Sequence, residues 1–440
     1  MLSEGAELTG ESGTVYLVVS PLGQANVWTA VQKDKPTQIV VIKEPNVDET
    51  RPGWPTFIHE MVMHELFKSS PHIRRSIDRI PVTSEPPSPP MLVLEIFQTT
   101  LWTARTKRPL SKPELRQICK TTLLALRDIH AQDLVYADLK MQNIMLNGFN
   151  TSSASTLPKD EIETKLGDLG IVTSPARGQV QPIPYRAPEV YFKGQITPAA
   201  DIWSWGLIYS HLLEAQTRFA QTGIYDDLGN SGGNGSMQAR EDATKNAIAS
   251  DYDIRSVDYY NNAVVPPSTS HPGGPHHGVG HQWSVLHSKG LEDHEIRFLR
   301  WVMKVDPRER PTAQEILDSG WLEDEGKVRT RWGLKSFAPL ADEAGDGGRP
   351  VSRSSFFRSE SDPALDTLRR QVERSGGVGE AAVESRSGTR EGKGGKSAVK
   401  DGVKDRGKGG EDGDGVSKPA GEEKPETPRP VAQRTFLSYR

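Results

Sequence analysis

The sequence predicts an α+β fold in which a small strand-rich part precedes a larger helical part. Two observations indicate this order. Near the amino terminus, residues 14–31 and 38–43 are rich in β-branched and apolar residues, as in a hairpin of strands. Further along, apolar residues recur at helical spacing in residues 112–130, 200–214 and 291–305.

Two shorter elements complete the pattern of the strand-rich part. Residues 57–67 place Phe57, Met61 and His64 at helical spacings, which predicts one helix. Residues 91–96 form a short apolar run, which is typical of a buried strand.

Composition marks where the folded part ends. All nine tryptophans lie at or before Trp332, and no aromatic residue occurs between Phe357 and Phe436. A segment dominated by Gly, Lys, Glu, Asp, Ser and Arg cannot bury enough apolar surface to offset chain entropy. We therefore expect residues 323–440 to be a disordered, low-complexity tail. The sequence around Phe357 fits either a docking motif or a solvated tail, and composition favours the tail.

Two polar stretches inside the folded part are predicted to be surface insertions. Residues 147–163 separate two short apolar strands. Residues 216–290 are rich in Gly, Asn, His and Pro and are expected to hold at most one short helix, near residues 237–249.

Charge and cysteine content limit the possible compartments and partners. The net charge of -4 gives no reason to expect nucleic acid as a partner. Cys119 is the only cysteine, which fits a reducing compartment and, inside an apolar helix, a core residue. No run reaches the roughly 18 to 20 apolar residues of a membrane helix, and the amino terminus has no signal-peptide pattern. We expect a soluble, intracellular protein of the cytoplasm or the nucleus.

The residues that carry chemistry lie on two neighbouring loops, the first between a helix and a short strand and the second after the next strand. The run LVYADLKMQNIML contains Asp138, Lys140 and Asn143, and the downstream run KLGDLG contains Asp168. Phosphoryl transfer needs positioned charge, metal ions and an oriented nucleophile. Asp138 would accept the hydrogen bond of the attacking hydroxyl, and Lys140 would neutralise the moving phosphoryl group. Asn143 and Asp168 would supply the oxygen ligands that Mg²⁺ prefers.

These runs resemble the catalytic loop HRDLKxxN and the DFG motif of protein kinases. Upstream, VVIK ending at Lys43 is similar to the strand whose lysine holds the α- and β-phosphates. Glu60 matches the helix glutamate that pairs with this lysine, with Glu65 as the fallback candidate. The run MLVLEIF resembles the strand that enters the hinge, where the backbone of Glu95 and Phe97 would bond adenine. The resemblance assigns ATP binding to Gly23, Val27, Lys43, Glu60, Leu94, Glu95, Phe97 and Met145.

Motifs further downstream resemble the same family. Glu189 matches the glutamate of the APE motif, and Arg310 matches the arginine that pairs with it. Asp201 of DIWSWG matches the aspartate that braces the catalytic loop. The resemblance covers residues 14–322, after an extension at residues 1–13.

This resemblance implies a bilobal kinase fold with a small antiparallel β lobe that carries one helix, and a larger α-helical lobe. It implies ATP and Mg²⁺ as cofactors and protein substrates as partners, with docking partners possible at the insertions or tail. DLKMQN has a lysine two residues after the aspartate, as the corresponding motif of serine/threonine kinases does. YRAPEV resembles the matching segment in the group of cyclin-dependent and MAP kinases.

The sequence departs from the family pattern at four motifs. The family expects GxGxxGxV, but LGQANVWTA offers Gly23 alone, which predicts a weaker grip on phosphates. Ala137 stands where an arginine would bind an activation-loop phosphate, so we expect activity that is independent of such phosphorylation. Pro182 replaces a threonine that contacts the catalytic residues, and Val41 replaces the alanine of VAIK.

Alternatives to an active protein kinase remain open. A pseudokinase scaffold would bind nucleotide or partners without catalysis, as the altered motifs would allow. A kinase-fold enzyme acting on a small molecule is a weaker alternative, because YRAPE and DIWSWG shape a peptide-binding shelf. The histidines of HPGGPHHGVGH favour a flexible loop over a metal site.

Overall fold

The computed structural model describes residues 2–49, 51–84, 87–150, 162–192, 194–217, 222–229, 236–265 and 280–323. Nearly all of the predicted tail therefore lies outside the described residues. So do residues 151–161 and 266–279, which hold most of the first predicted insertion and of the histidine-rich run. Their predicted disorder and docking roles stay predictions.

An antiparallel sheet and one helix form the amino-terminal lobe. In chain order its elements are β1 (Glu7–Thr9), β2 (Val15–Leu22), β3 (Gln24–Gln32), β4 (Lys35–Lys43), α1 (Pro55–Leu66), β5 (Ser76–Ile80), a hairpin of β6 (Thr83–Ser84) and β7 (Pro87–Ser88), and β8 (Met91–Glu95). The six-stranded sheet has the order β1-β2-β3-β4-β8-β5. Strand β1 lies inside the predicted extension of residues 1–13 and pairs with β2.

Helix α1 confirms the predicted helix and begins two residues earlier. Pro55 occupies its first turn, where proline's missing N–H would have no partner within the helix. One face of the helix buries Phe57, Glu60, Met63 and His64. A glutamate is thereby held inside the protein, where it must find a cationic partner.

The carboxy-terminal lobe is mostly helical. Its elements are β9 (Thr99–Thr100), α2 (Leu101–Ala104), α3 (Lys112–His130), β10 (Ile144–Asn147), β11 (Glu163–Leu166), α4 (Pro188–Tyr191), α5 (Pro198–Thr217), α6 (Met237–Asp251), α7 (His281–Ser288), α8 (Asp293–Val302) and α9 (Ala313–Asp318). A small sheet of order β11-β10-β9 lies where the catalytic motifs occur. Ser111 and Glu114 form a capping box that fixes the start of α3.

Helix α5 is the centre of the helical core. Trp203 and Trp205 are almost fully buried on it, and the ring of Trp205 stacks on that of Tyr209. The Trp205 indole donates a hydrogen bond to the Cys119 carbonyl at 3.1 Å, joining α5 to α3. Cys119 is buried as expected, and burial raises the pKa of its thiol. It is therefore a packing residue.

The prediction of at most one short helix in residues 216–290 was wrong. Helix α6 has 15 residues, and α7 follows it. Tyr225, Tyr260 and Leu286 from this segment are buried in the main core cluster. These buried residues are separated by Gly- and Asn-rich stretches, so they show no regular periodicity in the sequence.

A small antiparallel sheet with one helix followed by a helical lobe confirms the predicted α+β bilobal fold. Of the helices in the described part of the chain, none combines the length and apolar character needed to cross a membrane.

Candidate active site

Three charged side chains from separate elements meet between the lobes. The Lys43 Nζ at the end of β4 lies 2.7 Å from Glu60 Oε1 on α1 and 3.1 Å from Asp168 Oδ1 after β11. The lysine and glutamate side chains are only 17% and 6% exposed. All three were predicted from the sequence, and the structure brings them together.

The buried environment fixes the charges of this cluster. Burial alone would lower the pKa of Lys43, but the carboxylates of Asp168 and Glu60 outweigh burial and hold it above its ordinary value. Burial raises the pKa of Glu60 despite the nearby lysine. Burial would raise the pKa of Asp168, but the charge and hydrogen bond of Lys43, together with the charge of Lys140 and the Gly170 N–H, outweigh burial and hold it below its ordinary value. Lys43 is therefore protonated and Asp168 ionised at neutral pH.

The loop between α3 and β10 holds Asp138, Lys140 and Asn143 together. Asp138 Oδ2 accepts hydrogen bonds from Lys140 Nζ at 2.7 Å and Asn143 Nδ2 at 2.8 Å. The Asn143 amide also donates to the Asp138 carbonyl at 3.0 Å, so hydrogen bonds within the loop fix its conformation. Burial raises the pKa of Asp138 against the opposing effect of Lys140.

Asp201 supports this loop from the start of α5, where the sequence placed it. Its two carboxylate oxygens accept hydrogen bonds from the backbone N–H groups of Tyr136, at 2.7 Å, and Ala137, at 2.9 Å. Its Oδ2 also lies 3.0 Å from His130 Nε2. Ala137 has a φ of 64°, an uncommon left-handed conformation that these bonds hold in place.

Tyr136 occupies the histidine position of the family motif. Its side chain is fully buried, and its hydroxyl donates a hydrogen bond to the carbonyl of Gly167, the residue before Asp168. The catalytic loop is therefore joined directly to the backbone that carries Asp168.

The predicted structural pair also forms. Arg310 NH1 and NH2 bond both carboxylate oxygens of Glu189, at 2.8 and 3.1 Å. Both side chains are fully buried, so each charge depends on the other for compensation.

A cleft of about 400 Å³ opens beside the charged cluster. Its lining consists of Leu22, Gln24, Val27, Val41, Lys43, Glu60, Arg74, Leu94, Lys140, Gln142, Asn143, Met145 and Asp168. Five of the predicted ATP-binding residues line it, namely Val27, Lys43, Glu60, Leu94 and Met145. Gly23, Glu95 and Phe97 lie outside the lining. Asp138 also lies outside it, next to Lys140 and Asn143, which line it.

The turn between β2 and β3, beside the cleft, is short. Leu22 pairs with Gln24 across strands β2 and β3, so Gly23 alone forms the tip. Its φ of 75° is a conformation that glycine adopts without strain. A one-residue tip offers few backbone N–H groups to a phosphate.

Arg74 is a lining residue that the sequence analysis missed. Its backbone N–H donates to the Leu166 carbonyl at 2.8 Å, and its Nε donates to the Glu95 carbonyl at 2.8 Å. The side chain thus reaches the hinge position where the resemblance places adenine. The only signal in the sequence is an arginine pair directly after the apolar Ile73.

Gln181 is a second residue that the sequence did not single out. It lies in the activation segment, residues 170–189, and is 5% exposed. Its Nε2 donates to the Ala200 carbonyl and to Ser204 Oγ, both at 2.9 Å. Its Oε1 accepts the Ala187 N–H at 2.9 Å, and its own N–H donates to the Ala137 carbonyl at 3.1 Å. This glutamine ties the segment to both α5 and the catalytic loop.

The donor set in the cleft suits a hard divalent cation. Asn143 and Asp168 both line the cleft and offer amide and carboxylate oxygens, which are ligands that Mg²⁺ accepts. Within the described ranges no group of three or more His, Cys, Asp or Glu side chains is placed to hold a metal. Mg²⁺ bound here would thus take its other ligands from phosphate and water.

Comparison with known sequences agrees with this geometry. A family profile described as "Protein kinase domain" matches residues 16–322. The serine/threonine-protein kinase US3 of human herpesvirus 1 (strain 17) is 26% identical over 211 residues, covering 46% of this chain and 39% of the relative. The mitogen-activated protein kinase HOG1 of Gibberella zeae is 26% identical over 240 residues, covering 52% and 57%. Each match spans less than two thirds of the relative's own length.

A solved structure shares the fold. It is described as the "Structure of the CAK complex form Chaetomium thermophilum bound to ATP-gamma-S". The similarity has a TM-score of 0.54 at 18% sequence identity and covers 70% of this chain and 91% of the other. At that identity it supports the architecture alone.

Proposed function

Because the chain belongs to the protein kinase family, we propose that it is a serine/threonine protein kinase. It would transfer the γ-phosphate of ATP to hydroxyl groups of proteins. One observation carries this proposal. Lys43 contacts both Glu60 and Asp168 at the same cleft that Lys140 and Asn143 line.

The phosphate end of the cleft has the charges that phosphoryl transfer needs. Lys43 is held in place by Glu60 and is protonated, so it can bind phosphate oxygens without a change of charge. Asn143 and Asp168 would hold Mg²⁺, which neutralises phosphate charge when it is bound. The contribution of these residues is therefore positioning and electrostatic stabilisation.

Asp138 would orient the attacking hydroxyl. Both of its side-chain bonds go to Oδ2, so Oδ1 accepts no hydrogen bond within the described part of the chain. A substrate hydroxyl can donate to this oxygen while Lys140 remains beside the transferring group. The lysine two positions after the aspartate supports serine/threonine specificity, as does the similarity to serine/threonine kinases.

A radiolabelled transfer assay on generic protein substrates tests the proposal. We expect wild-type protein to label serine or threonine, and Asp138→Asn to lower turnover by roughly 10² to 10⁴. Nucleotide binding by the variant should stay close to wild type, because Asp138 lies outside the lining of the cleft. Equal labelling by both proteins would overturn the proposal.

The alternative is a pseudokinase scaffold, which the one-residue turn at Gly23 favours because it lacks a cradle for phosphates. A scaffold would bind nucleotide or partners, but neither the wild-type protein nor the Asp138→Asn variant would transfer label to a protein substrate. The same assay therefore distinguishes the two proposals.

A further inference from the structure

Helix α1 contacts the activation segment through a histidine. His59 Nε2 lies 2.6 Å from the carbonyl oxygen of Val172. A carbonyl oxygen can only accept a hydrogen bond, so the ring nitrogen must carry a proton and donate it. His59 directly precedes Glu60 on α1, and Val172 follows Asp168 by four residues. The bond therefore joins the helix that carries Glu60 to the stretch of chain that follows Asp168.

This hydrogen bond satisfies an acceptor that water hardly reaches. Val172 is 1% exposed, and His59 is partly buried. Among the described residues, no other group donates to the Val172 carbonyl. Burial lowers the pKa of His59 although the bond to Val172 opposes this, so the ring is neutral at neutral pH and makes the bond without a charge. A buried acceptor that loses its partner is costly, so this contact resists opening.

The activation segment is held from its other side by the catalytic loop. The Val135 N–H donates to the Thr173 carbonyl at 2.8 Å, and the Thr173 N–H donates to the Val135 carbonyl at 2.9 Å. Val135 is followed by Tyr136, whose hydroxyl bonds the Gly167 carbonyl. The segment therefore bridges α1 and the catalytic loop.

The position of Glu60 depends on how closely α1 lies against this segment. The Glu60 carboxylate packs on the backbone of the segment, because a side-chain carbon added at Gly170 would lie 3.4 Å from Glu60 Oε2. The other oxygen, Oε1, accepts the hydrogen bond of Lys43 at 2.7 Å. Since His59 and Glu60 are adjacent on one helix, a movement of α1 away from the segment would also draw the glutamate from Lys43.

This contact needs no phosphate on the activation segment. Its donor is a neutral ring and its acceptor is a backbone carbonyl, so neither partner depends on a modified hydroxyl. Ala137, in the catalytic loop, offers no cation to a phosphate. Phosphorylation orders the corresponding segment in many kinases. Here an uncharged contact within the chain can do so.

We propose that His59 is a positioning residue, whose hydrogen bond to the activation segment keeps α1 in place and thereby holds Glu60 against Lys43. It acts through Glu60 and not on the nucleotide, because it does not line the cleft. The inference rests on the proposed function for the phosphate transfer that the Lys43–Glu60 pair serves. The contact itself belongs to the protein without nucleotide, so it can be tested separately.

Hydrogen exchange of the nucleotide-free full chain, followed by mass spectrometry, tests the contact. In His59→Leu, which removes the donor, the amides of α1 and of residues 170–174 should exchange about ten-fold faster, as for the loss of one buried hydrogen bond. Amides of α5 should exchange as in the wild type, which separates local opening from global destabilisation. His59→Gln, whose side-chain amide can donate to the same carbonyl, should restore slow exchange.

Phosphate transfer to a generic protein substrate tests the consequence for catalysis. His59→Leu should lower kcat about ten-fold, because Glu60 no longer holds Lys43 as firmly, while the KM for the protein substrate changes little. His59→Gln should recover most of the wild-type kcat. Ile58→Ala is the matched control, because Ile58 is the adjacent residue of α1, is 40% exposed and does not line the cleft. It should change neither the exchange rates nor kcat.

Several results would overturn the inference. One is wild-type exchange of the α1 amides in His59→Leu, and another is an unchanged kcat of that variant in an active protein. An equal loss in His59→Gln would show that the ring matters only for packing. An equal loss in Ile58→Ala would show that α1 responds to any substitution.

Each of these results leaves the kinase proposal standing if the wild-type protein transfers phosphate. If the wild-type protein transfers none while the exchange results hold, the proposed function fails and the fastening of α1 by His59 stands.

Discussion

Gln181 Nε2 donates a hydrogen bond to Ser204 Oγ at 2.9 Å and thereby fastens the activation segment to helix α5. The same side chain accepts the Ala187 N–H, and the Gln181 carbonyl accepts the guanidinium of Arg186 at 3.0 and 3.1 Å. An uncharged residue thus holds together a segment that many kinases order by phosphorylation.

Gln181→Leu should destabilise the protein and slow catalysis. The substitution leaves buried backbone groups of Ala187 and Ala200 without their partner, at a cost of about 2 kcal/mol in the free energy of unfolding. Urea unfolding measures this loss, and steady-state kinetics should show a lower kcat with little change in nucleotide binding. Gln179→Leu is the control, because Gln179 is exposed and its side-chain amide bonds the carboxylate of Glu241 in place of buried backbone groups. Similar losses in both variants would argue against the special role of Gln181.

Removing the hydroxyls of Thr173 and Ser174 should leave turnover close to wild type. Arg186 already bonds Gln181 and lies 2.8 Å from Glu241, and Ala137 provides no cation for a phosphate. Thr173 contributes to the structure through backbone bonds with Val135, which alanine preserves. The measurement is the rate of phosphate transfer by the Thr173→Ala/Ser174→Ala protein. Abolished turnover in a variant with wild-type thermal stability would contradict this prediction.

Arg310→Met should be strongly destabilising. It leaves the fully buried carboxylate of Glu189 without its ion-pair partner, which costs about 3 to 5 kcal/mol. Chemical denaturation should show this loss, and the double variant Glu189→Leu/Arg310→Met should recover part of it. Arg308→Met, which removes an arginine with a 63% exposed side chain, should cost much less. A small effect of Arg310→Met would mean that water or another group compensates Glu189.

His64 should make stability depend on pH. Burial first, and the Arg74 and Lys43 charges next, lower its pKa to about 3, while nearby Asp168 opposes them. An unfolded chain binds a proton at this histidine below about pH 6.5, but the folded protein does not until about pH 3. Stability from this group is therefore complete above pH 6.5 and falls as the pH drops, by about 2 kcal/mol at pH 5.

Urea unfolding between pH 5 and pH 7 measures how steeply the free energy of unfolding changes with pH, which is the slope compared below. His64→Leu should have a smaller slope than wild type, whereas His287→Leu, at a histidine with a 66% exposed side chain, should not. An unchanged slope in His64→Leu would show that other groups control the pH dependence.

The sequence could predict the charged residues of the site because their types and order are themselves informative. Lys43, Glu60 and Asp168 meet as expected, since strand ends and a helix face bring them to one cleft. Their assigned roles in binding and transfer remain predictions. Glu189 and Arg310 also meet as predicted, although 121 positions separate them in the chain.

Arg74 and Gln181 could not be found in the same way. The contact of Arg74 with Glu95 depends on the pairing of β5 with β8, which only the folded sheet establishes. Gln181 has a φ of 67° in a loop, where no periodicity marks it. Helix α7 was missed because the segment before it is dominated by Gly, His and Pro.

If the chain transfers phosphate as proposed, the one-residue tip at Gly23 would affect the timing of the catalytic cycle. A long flexible flap must open before a spent nucleotide can leave, and in many enzymes that opening limits turnover. Strands β2 and β3 close directly across Gly23, so the described turn between these two strands forms no such flap. Departure of the diphosphate would then be fast, and the overall rate would be set by the phosphoryl-transfer step itself.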